Sequence, residues 1–228
     1  MNHNGTAIKM SSDGLFIEDG TGEEHISTYY DTPLRDDAFV MADEEKIKII
    51  SGHFHEIMHT LGLDLTDDSL RGTPARVSKM FVNEVFSGLD PKNKPAITLF
   101  DNKFKYNQML VEKNITFFSN CEHHFVPITG KVHVAYISSG KVIGLSKINR
   151  IVQYYARRPQ VQERLTMQIA NELKSILSTQ DVAVLVDATH FCVTSRGVQD
   201  IQSSTVTSSY SGRFNREETI SEFLTYLK

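Results

Sequence analysis

The stretch Asp181-Val-Ala-Val-Leu-Val-Asp-Ala-Thr-His190-Phe-Cys192-Val-Thr is a run rich in β-branched residues that ends in a histidine and a cysteine. A run of this composition, bounded by polar residues, predicts a strand. Side chains along a strand alternate between its two faces. We therefore expect His190 and Cys192, two positions apart, to project on the same side, with the histidine beside any metal that the cysteine binds.

The other cysteine of the chain lies in a second cluster of metal-ligand side chains, Ser119-Asn-Cys121-Glu-His123-His124-Phe125. Cys121 and His124 have the two-residue spacing with which a tight turn binds Zn²⁺. With Cys192 as third ligand, the site keeps one open position, which is typical of a zinc ion that holds a reactive water. A structural zinc usually takes four protein ligands. The sequence therefore predicts a catalytic Zn²⁺ site at Cys121, His124 and Cys192.

A Cys121–Cys192 disulfide and a pair of inert buried thiols are the alternatives to a metal site. Two cysteines in 228 residues, without a secretory signal, favour the metal over the disulfide. A free cysteine can also be merely a small buried hydrophobe.

A second string, His55-Glu56-Ile57-Met58-His59, matches the H-E-x-x-H motif of zinc proteases. The extended motif requires a histidine at position 65, which is a leucine. The helical stripe of Ile50, Phe54 and Leu61 also places the two histidines on a polar flank rather than toward a cleft. We interpret this match as accidental.

The composition, 40% hydrophobic and 23% charged with a net charge of −4, is typical of a soluble enzyme. No apolar run approaches the ~20 residues that span a bilayer. No basic surface with interleaved aromatic residues indicates nucleic-acid binding. We expect a cytoplasmic protein without membrane or nucleic-acid partners. Residues 1–39 carry eight carboxylates against Lys9 and Arg35, which predicts a flexible acidic leader.

Beyond the leader, the pattern predicts a helical part over residues 40–95 and a second part, mainly a sheet, over residues 96–228. Ser146 is expected to cap one helix and Pro159 to open the next. The predicted helices are 43–61, 73–86, 147–157, 159–177 and 216–226, and the predicted strands are 97–100, 109–118, 131–137, 181–195 and 200–209. Without β-α-β alternation, the fold class is α+β, with a largely antiparallel sheet and two consecutive helices on one face.

Three segments resemble the GTP cyclohydrolase I family: residues 119–125, residues 144–150 with 156–166, and residues 190–197. The resemblance extends from about position 40 to the C-terminus. It implies a tunnelling fold (T-fold), a toroidal homodecamer with sites between subunits, and a Zn²⁺-dependent conversion of GTP to 7,8-dihydroneopterin triphosphate and formate. That reaction opens pterin and folate biosynthesis.

The resemblance also implies roles for individual residues. Cys121, His124 and Cys192 correspond to the zinc ligands, and His123 and His190 to catalytic histidines. Glu163 corresponds to the carboxylate that anchors guanine, with Gln162 beside it, and Ser146 and Lys147 to positions that line the ribose and phosphates. The cationic triphosphate pocket corresponds to Arg76, Lys79, Arg150 and Arg196. Guanidinium groups suit that task because they bind phosphate oxygens in pairs.

Without the resemblance, most of these residues have simpler interpretations. Arg157, Arg158 and Arg164 are expected to be solvated helix charges, and a glutamate such as Glu163 on an amphipathic helix lies more often on a plain surface than in a site. The Cys-x-x-His and His-x-Cys pair alone indicates chemistry. Two rival functions are a nucleoside deaminase and a non-catalytic zinc scaffold. A deaminase requires Pro-Cys-x-x-Cys and His-x-Glu motifs, which do not occur here. A zinc scaffold requires a fourth protein ligand.

Overall fold

The computed structural model describes residues 9–11, 14–16 and 31–228. The leader predicted over residues 1–39 therefore lies largely outside the described residues. Within it, strands β1 (Lys9–Ser11) and β2 (Gly14–Phe16) pair antiparallel. The divisions at residues 39 and 95 remain predictions.

Two helices and a series of short turns form the N-terminal part. Helix α1 (Asp43–Thr60) begins with three acidic residues, which complement the positive end of the helix dipole. Helix α2 (Thr73–Met80) has Pro74 in its first turn, as the sequence predicts. The predicted continuation to residue 86 is a π-helical turn (Phe81–Val85), and 3-10 turns follow at Ser87–Leu89 and Pro91–Asn93.

The main sheet has five strands, and all its pairings but one are antiparallel. A separate two-stranded sheet joins β3 (Leu99–Asp101) to β6 (Lys141–Ile143). The five strands are β4 (Met109–Cys121), β5 (Pro127–Ile137), β7 (Pro159–Gln160), β8 (Val182–His190) and β9 (Thr205–Tyr210). Their spatial order is β7-β4-β5-β8-β9, and only β7 runs parallel to its neighbour β4. The prediction of a mixed helix and sheet protein with a mainly antiparallel sheet is confirmed, whereas the tunnelling fold remains a prediction.

Two consecutive helices, α3 (Leu145–Ala156) and α4 (Gln162–Leu177), pack on one face of this sheet, as predicted. Their apolar stripes form the main core with inward-facing strand residues such as Phe117, Val132 and Val184. On the opposite face, a smaller core gathers Ala135 and Ile137 around Phe223 of α6 (Glu217–Leu227). Burial on both faces explains the continuous apolar run over residues 182–186 of β8, whereas buried and exposed residues alternate over 115–119 of β4.

Three local predictions are wrong. Helix α3 begins one residue before Ser146, with Gly144 in the capping position, so Ser146 lies inside the first turn. Pro159 belongs to β7, and α4 begins at Gln162. The strand predicted over 181–195 ends at His190, and the next residues form a helical turn, α5 (Phe191–Thr194). His190 and Cys192 therefore do not share a strand face.

The N-terminal part contacts the sheet part closely at Gly88, whose N–H donates to the carbonyl of Arg157 at 2.9 Å. A Cβ atom at this position would lie 2.0 Å from the carbonyl oxygen of Tyr154, so only glycine permits the approach. Among the described residues, no helix is both long and apolar enough to cross a bilayer.

Candidate metal centre and active site

Strand pairing brings the two cysteine segments to the same edge of the sheet. In the register of β4 and β5, Asn120 pairs with Pro127, and in that of β5 and β8, Ile128 pairs with His190. The end of β4, the start of β5 and the end of β8 therefore lie side by side. Cys121 is the last residue of β4, and Cys192 follows β8 within the turn α5.

The segment between β4 and β5, residues 121–126, is a tight turn that we call the metal loop. The N–H of Cys121 donates to the carbonyl of Val126 at 2.8 Å, and the N–H of Phe125 donates to the carbonyl of Cys121 at 2.8 Å. Phe125 has a φ of +55°, which is an uncommon conformation for a bulky residue. Its ring packs against Phe86 at 5.1 Å between centroids. These contacts hold Cys121 and His124 near each other.

Cys121, His124 and Cys192 form the predicted cluster, with their ligand atoms all within 4.8 Å of one another. The Cys121 Sγ atom lies 3.8 Å from Nδ1 of His124. Ligands of one tetrahedral Zn²⁺, with Zn–S of about 2.3 Å and Zn–N of about 2.0–2.1 Å, are about 3.6 Å apart. The donor types and spacing thus fit a zinc ion. Neither cysteine forms a disulfide.

Burial and one cationic side chain, Arg196, act on the ligands of this cluster. Burial and the neighbouring Cys121 thiol raise the pKa of Cys192. A bound divalent cation acts in the opposite direction because coordination favours the thiolate. Arg196 places Nη1 2.9 Å from Nε2 of His124, so a cationic side chain lies at the rim of the cluster. His123, which precedes His124 in the metal loop, has its Nδ1 atom 3.8 Å from Cys121 Sγ.

His190 lies half-buried at the end of β8, next to the first turn of α4. Its Nε2 atom is 2.7 Å from Oε1 of Gln162. Burial lowers the pKa of His190, and the carboxylate of Glu163 acts in the opposite direction. Glu163 is exposed at the start of α4. Two predicted substrate-binding residues and one predicted catalytic histidine thus lie together here.

A buried ion pair near the cluster contradicts one prediction and adds a residue that sequence analysis missed. Arg164, expected to be a solvated charge, has a side chain only 4% exposed and binds the Glu122 carboxylate of the metal loop. Arg158 is also buried and lies over the rings of Tyr154 and Tyr155. The one available signal for Glu122 is its place between two metal ligands.

The other predicted residues lie on helices α2 and α3. Ser146, Lys147 and Arg150 lie in the first half of α3, where Lys147 donates to the carbonyl of Ala96 at 2.8 Å. Arg150 lines a cavity of about 600 Å³ with Asn83, Lys92 and Arg157. Arg76 and Lys79 lie on α2, which packs mainly on α1 and on the π-helical turn. Arg76 donates to the carbonyl of Ser69 and to Thr73.

The two histidines of the H-E-x-x-H match lie on the solvent-exposed side of α1, as expected for an accidental match. His55 and His59 are both exposed on α1, and His55 lies 3.2 Å from the adjacent Glu56. Among the described residues, the group able to hold a metal is the Cys121, His124 and Cys192 cluster.

Comparison with known proteins gives close matches over most of the chain. The sequence profile described as GTP cyclohydrolase I matches residues 50–228. A protein named GTP cyclohydrolase 1 from Flavobacterium johnsoniae is 60% identical over 210 residues, which cover 92% of this chain and 94% of that protein. Its namesake from Aeromonas salmonicida is 55% identical over 199 residues, covering 87% and 90%.

A solved structure also aligns with part of the chain. The apo form of the archaeosine synthase QueF-Like aligns with a TM-score of 0.37 and 20% identity, covering 47% of this chain and 94% of that one. Likeness at this level carries no argument about fold or function.

Proposed function

The chain belongs to the GTP cyclohydrolase I family, and we propose that it hydrolyses and rearranges GTP to 7,8-dihydroneopterin triphosphate and formate, with Zn²⁺ as its cofactor. This reaction would be the first step of pterin and tetrahydrofolate biosynthesis. The observation that carries the proposal is the cluster of Cys121, His124 and Cys192, with ligand atoms within 4.8 Å of one another. Two thiolates and one imidazole at one edge of a sheet suit a zinc site that keeps an open position.

A zinc ion held by these residues would supply Lewis acidity, which lowers the pKa of a bound water from 15.7 to about 7. The remaining proton transfers belong to side chains of the chain itself. His190 lies 2.7 Å from Gln162, the residue before Glu163, and is the candidate to protonate the guanine imidazole nitrogen when its bond to C8 breaks. His123, within 4 Å of Cys121, is the candidate to assist. A second hydrolysis at C8 releases formate.

Recognition of guanine fits the start of α4. The Glu163 carboxylate is exposed, lies near His190, and can accept two hydrogen bonds from the N–H edge of guanine. Gln162, predicted as a second substrate-binding residue, has a buried side chain bonded to His190, so it belongs to this part of the site through that histidine and not through a side-chain contact with guanine. Ser146, in the first turn of α3, is proposed to handle protons during opening and reclosure of the ribose.

The triphosphate requires several cations, which we assign to Lys147, Arg150, Arg196, Arg76 and Lys79. Of these, Arg196 contacts the metal cluster within one chain, whereas α2, which carries Arg76 and Lys79, packs mainly on α1 and the π-helical turn. This distribution supports a site assembled between subunits, and we propose a cytoplasmic homodecamer. Within such an assembly, Arg76 and Lys79 on α2 of one chain would complete the phosphate pocket to which another chain contributes Lys147, Arg150 and Arg196.

Incubation of the purified protein with GTP and Zn²⁺ tests the proposed function. We expect formate and, after oxidation, a fluorescent pterin in equal amounts. A chelator should abolish both, and added Zn²⁺ should restore them. Absence of formate from fully zinc-loaded protein would contradict the proposal. The His55→Ala/His59→Ala variant is the matched control for adventitious histidine-bound metal and should behave as the wild type.

A further inference from the structure

The side chain of Gln162 is almost completely buried and uses every polar atom it has. Its amide Nε2 donates to the backbone carbonyls of Val186 at 3.1 Å and Thr205 at 2.8 Å. Its Oε1 lies 2.7 Å from Nε2 of His190. The residue is 2% exposed, so no exchange with water competes with these bonds.

The two backbone carbonyls determine the orientation of this amide. A carbonyl oxygen only accepts hydrogen bonds, so the NH₂ group of Gln162 must face Val186 and Thr205. The amide oxygen must then face His190. Because an amide oxygen also only accepts, Nε2 of His190 must carry a proton for the contact at 2.7 Å to be a hydrogen bond.

We propose that Gln162 is a positioning residue that fixes the ring orientation of His190 and holds it as the Nε2–H tautomer, so that His190 exchanges its catalytic proton at Nδ1. This inference rests on the proposed function and deepens it. When His190 acts as the acid, the Nδ1 proton passes to the guanine nitrogen leaving C8, and the ring becomes the neutral Nε2–H form. The hydrogen bond to Gln162 is kept in both states.

Gln162 also joins α4 to the sheet, so a test must separate its effect on His190 from this structural contact. It lies in the first turn of α4, beside Glu163, and joins β8 and β9 through the two carbonyls. Thr166, one turn further along α4, also joins this helix to β9, through a 2.7 Å bond to the Thr207 hydroxyl. It is equally buried. Thr166 therefore serves as a matched control for the loss of a buried α4–β9 contact.

A double-mutant cycle separates positioning from structure. Gln162→Met has a similar length but no hydrogen-bonding group, and we expect it to lower kcat at least about tenfold with zinc content and KM nearly unchanged. A side chain that sets the tautomer of a catalytic histidine can be worth as much as about 10⁴ in kcat. In the His190→Ala background, the same substitution should cause no further loss. Thr166→Val should have the same small effect in both backgrounds.

Gln162→Met lowering kcat by the same factor in both backgrounds, or leaving it normal in wild type, would overturn the inference. Solid-state NMR of zinc-loaded wild-type protein with ¹⁵N-labelled histidine provides a test that needs neither the variant nor activity. The His190 signal is assigned by its loss in His190→Ala. A proton on Nε2 above neutral pH supports the inference, and a proton on Nδ1 alone refutes it. Absence of formate production would contradict the proposed function. The NMR result would still test the His190 tautomer independently.

Discussion

Arg164 donates two hydrogen bonds to the carboxylate of Glu122, from Nη1 to Oε2 at 2.5 Å and from Nη2 to Oε1 at 3.3 Å. Glu122 lies between the ligands Cys121 and His124, and its own N–H donates to the carbonyl of Gln160. The pair therefore attaches the metal loop to the first turn of α4. Adjacent residues of that turn serve the same site, since Gln162 contacts His190.

We expect Glu122→Gln to destabilise the protein by about 2–4 kcal/mol, because the ion pair between Glu122 and the buried guanidinium of Arg164 is lost. The metal loop should also hold its ion less firmly. Denaturant unfolding measures the first effect, and the rate of zinc transfer to a chromogenic chelator measures the second.

Asp101→Asn is the control for this prediction. It removes one partner of the Lys141–Asp101 pair, which is equally short at 2.6 Å but exposed on both sides. Solvent screens such a pair, so its loss should leave stability and zinc release unchanged. Equal effects of the two substitutions would show that burial of Arg164 does not matter.

Removal of any one metal ligand should abolish zinc binding and activity together. Cys121→Ser, His124→Ala and Cys192→Ser each leave two ligands, which bind zinc weakly. Metal analysis after dialysis should give about one zinc per chain for wild type and much less for the variants. Full occupancy in Cys192→Ser would refute the ligand set.

The metal cluster could be predicted from sequence because its information is local. Cys121 and His124 are three positions apart, and only the long-range partner Cys192 had to be added. The geometry of that partner was predicted wrongly. The β-branched run does not reveal that the chain leaves the sheet at His190 and turns into α5, which moves Cys192 from strand to helical turn.

The burial of the charged side chains Arg158 and Arg164 could not be predicted from the sequence pattern. Arg158 and Arg164 lie among polar residues, where the frequent outcome is a solvated side chain. Their burial depends on partners distant in sequence or on aromatic rings whose positions only the fold determines. Glu122 is 42 positions from Arg164. The helices with long apolar stripes, α1 and α4, were predictable because periodicity is a property of each segment alone.

His190→Ala should separate chemistry from binding. The variant keeps all three metal ligands, so zinc content and GTP binding should stay normal while kcat falls by at least ~10², the usual contribution of general acid–base catalysis. Steady-state kinetics and equilibrium binding of GTP at matched zinc content provide the measurement. Near-normal turnover would remove His190 from the mechanism.

His133 should make stability depend on pH. Burial lowers its pKa, Lys113 and Lys131 act in the same direction, and Asp187 opposes them. Between the lowered folded pKa and the ordinary value of 6.5, the unfolded chain binds more protons, so stability is full above that range and falls as pH drops through it. Its Nδ1 also accepts the N–H of Asn114 at 3.4 Å, which protonation would prevent.

The His133→Gln variant should lose less stability than wild type on acidification, because glutamine offers an uncharged acceptor. Melting temperatures measured slightly above neutral pH and near pH 5.5 provide the comparison, with about 1.4 kcal/mol expected for each unit of pKa shift. An identical fall in wild type and variant would assign the acid sensitivity to other groups.

Subunit mixing tests whether the triphosphate pocket is completed by a neighbouring chain. Arg76 and Lys79 lie on α2, whose contacts are mainly with α1 and the π-helical turn, whereas Arg196 lies at the metal cluster. A triphosphate carries about four negative charges and needs several cations to offset its desolvation. One chain's share of these cations should therefore bind GTP poorly.

An inactive Arg76→Ala/Lys79→Ala protein mixed with an inactive His190→Ala protein should regain part of the activity once subunits exchange. Some mixed interfaces then combine intact α2 cations from one chain with an intact His190 from the other. The control is a chain that carries all three substitutions. Mixed with either parent, it should restore no activity. Exchange is verified with differently labelled subunits. Complete exchange without recovery above either parent would mean that each site is built within one chain.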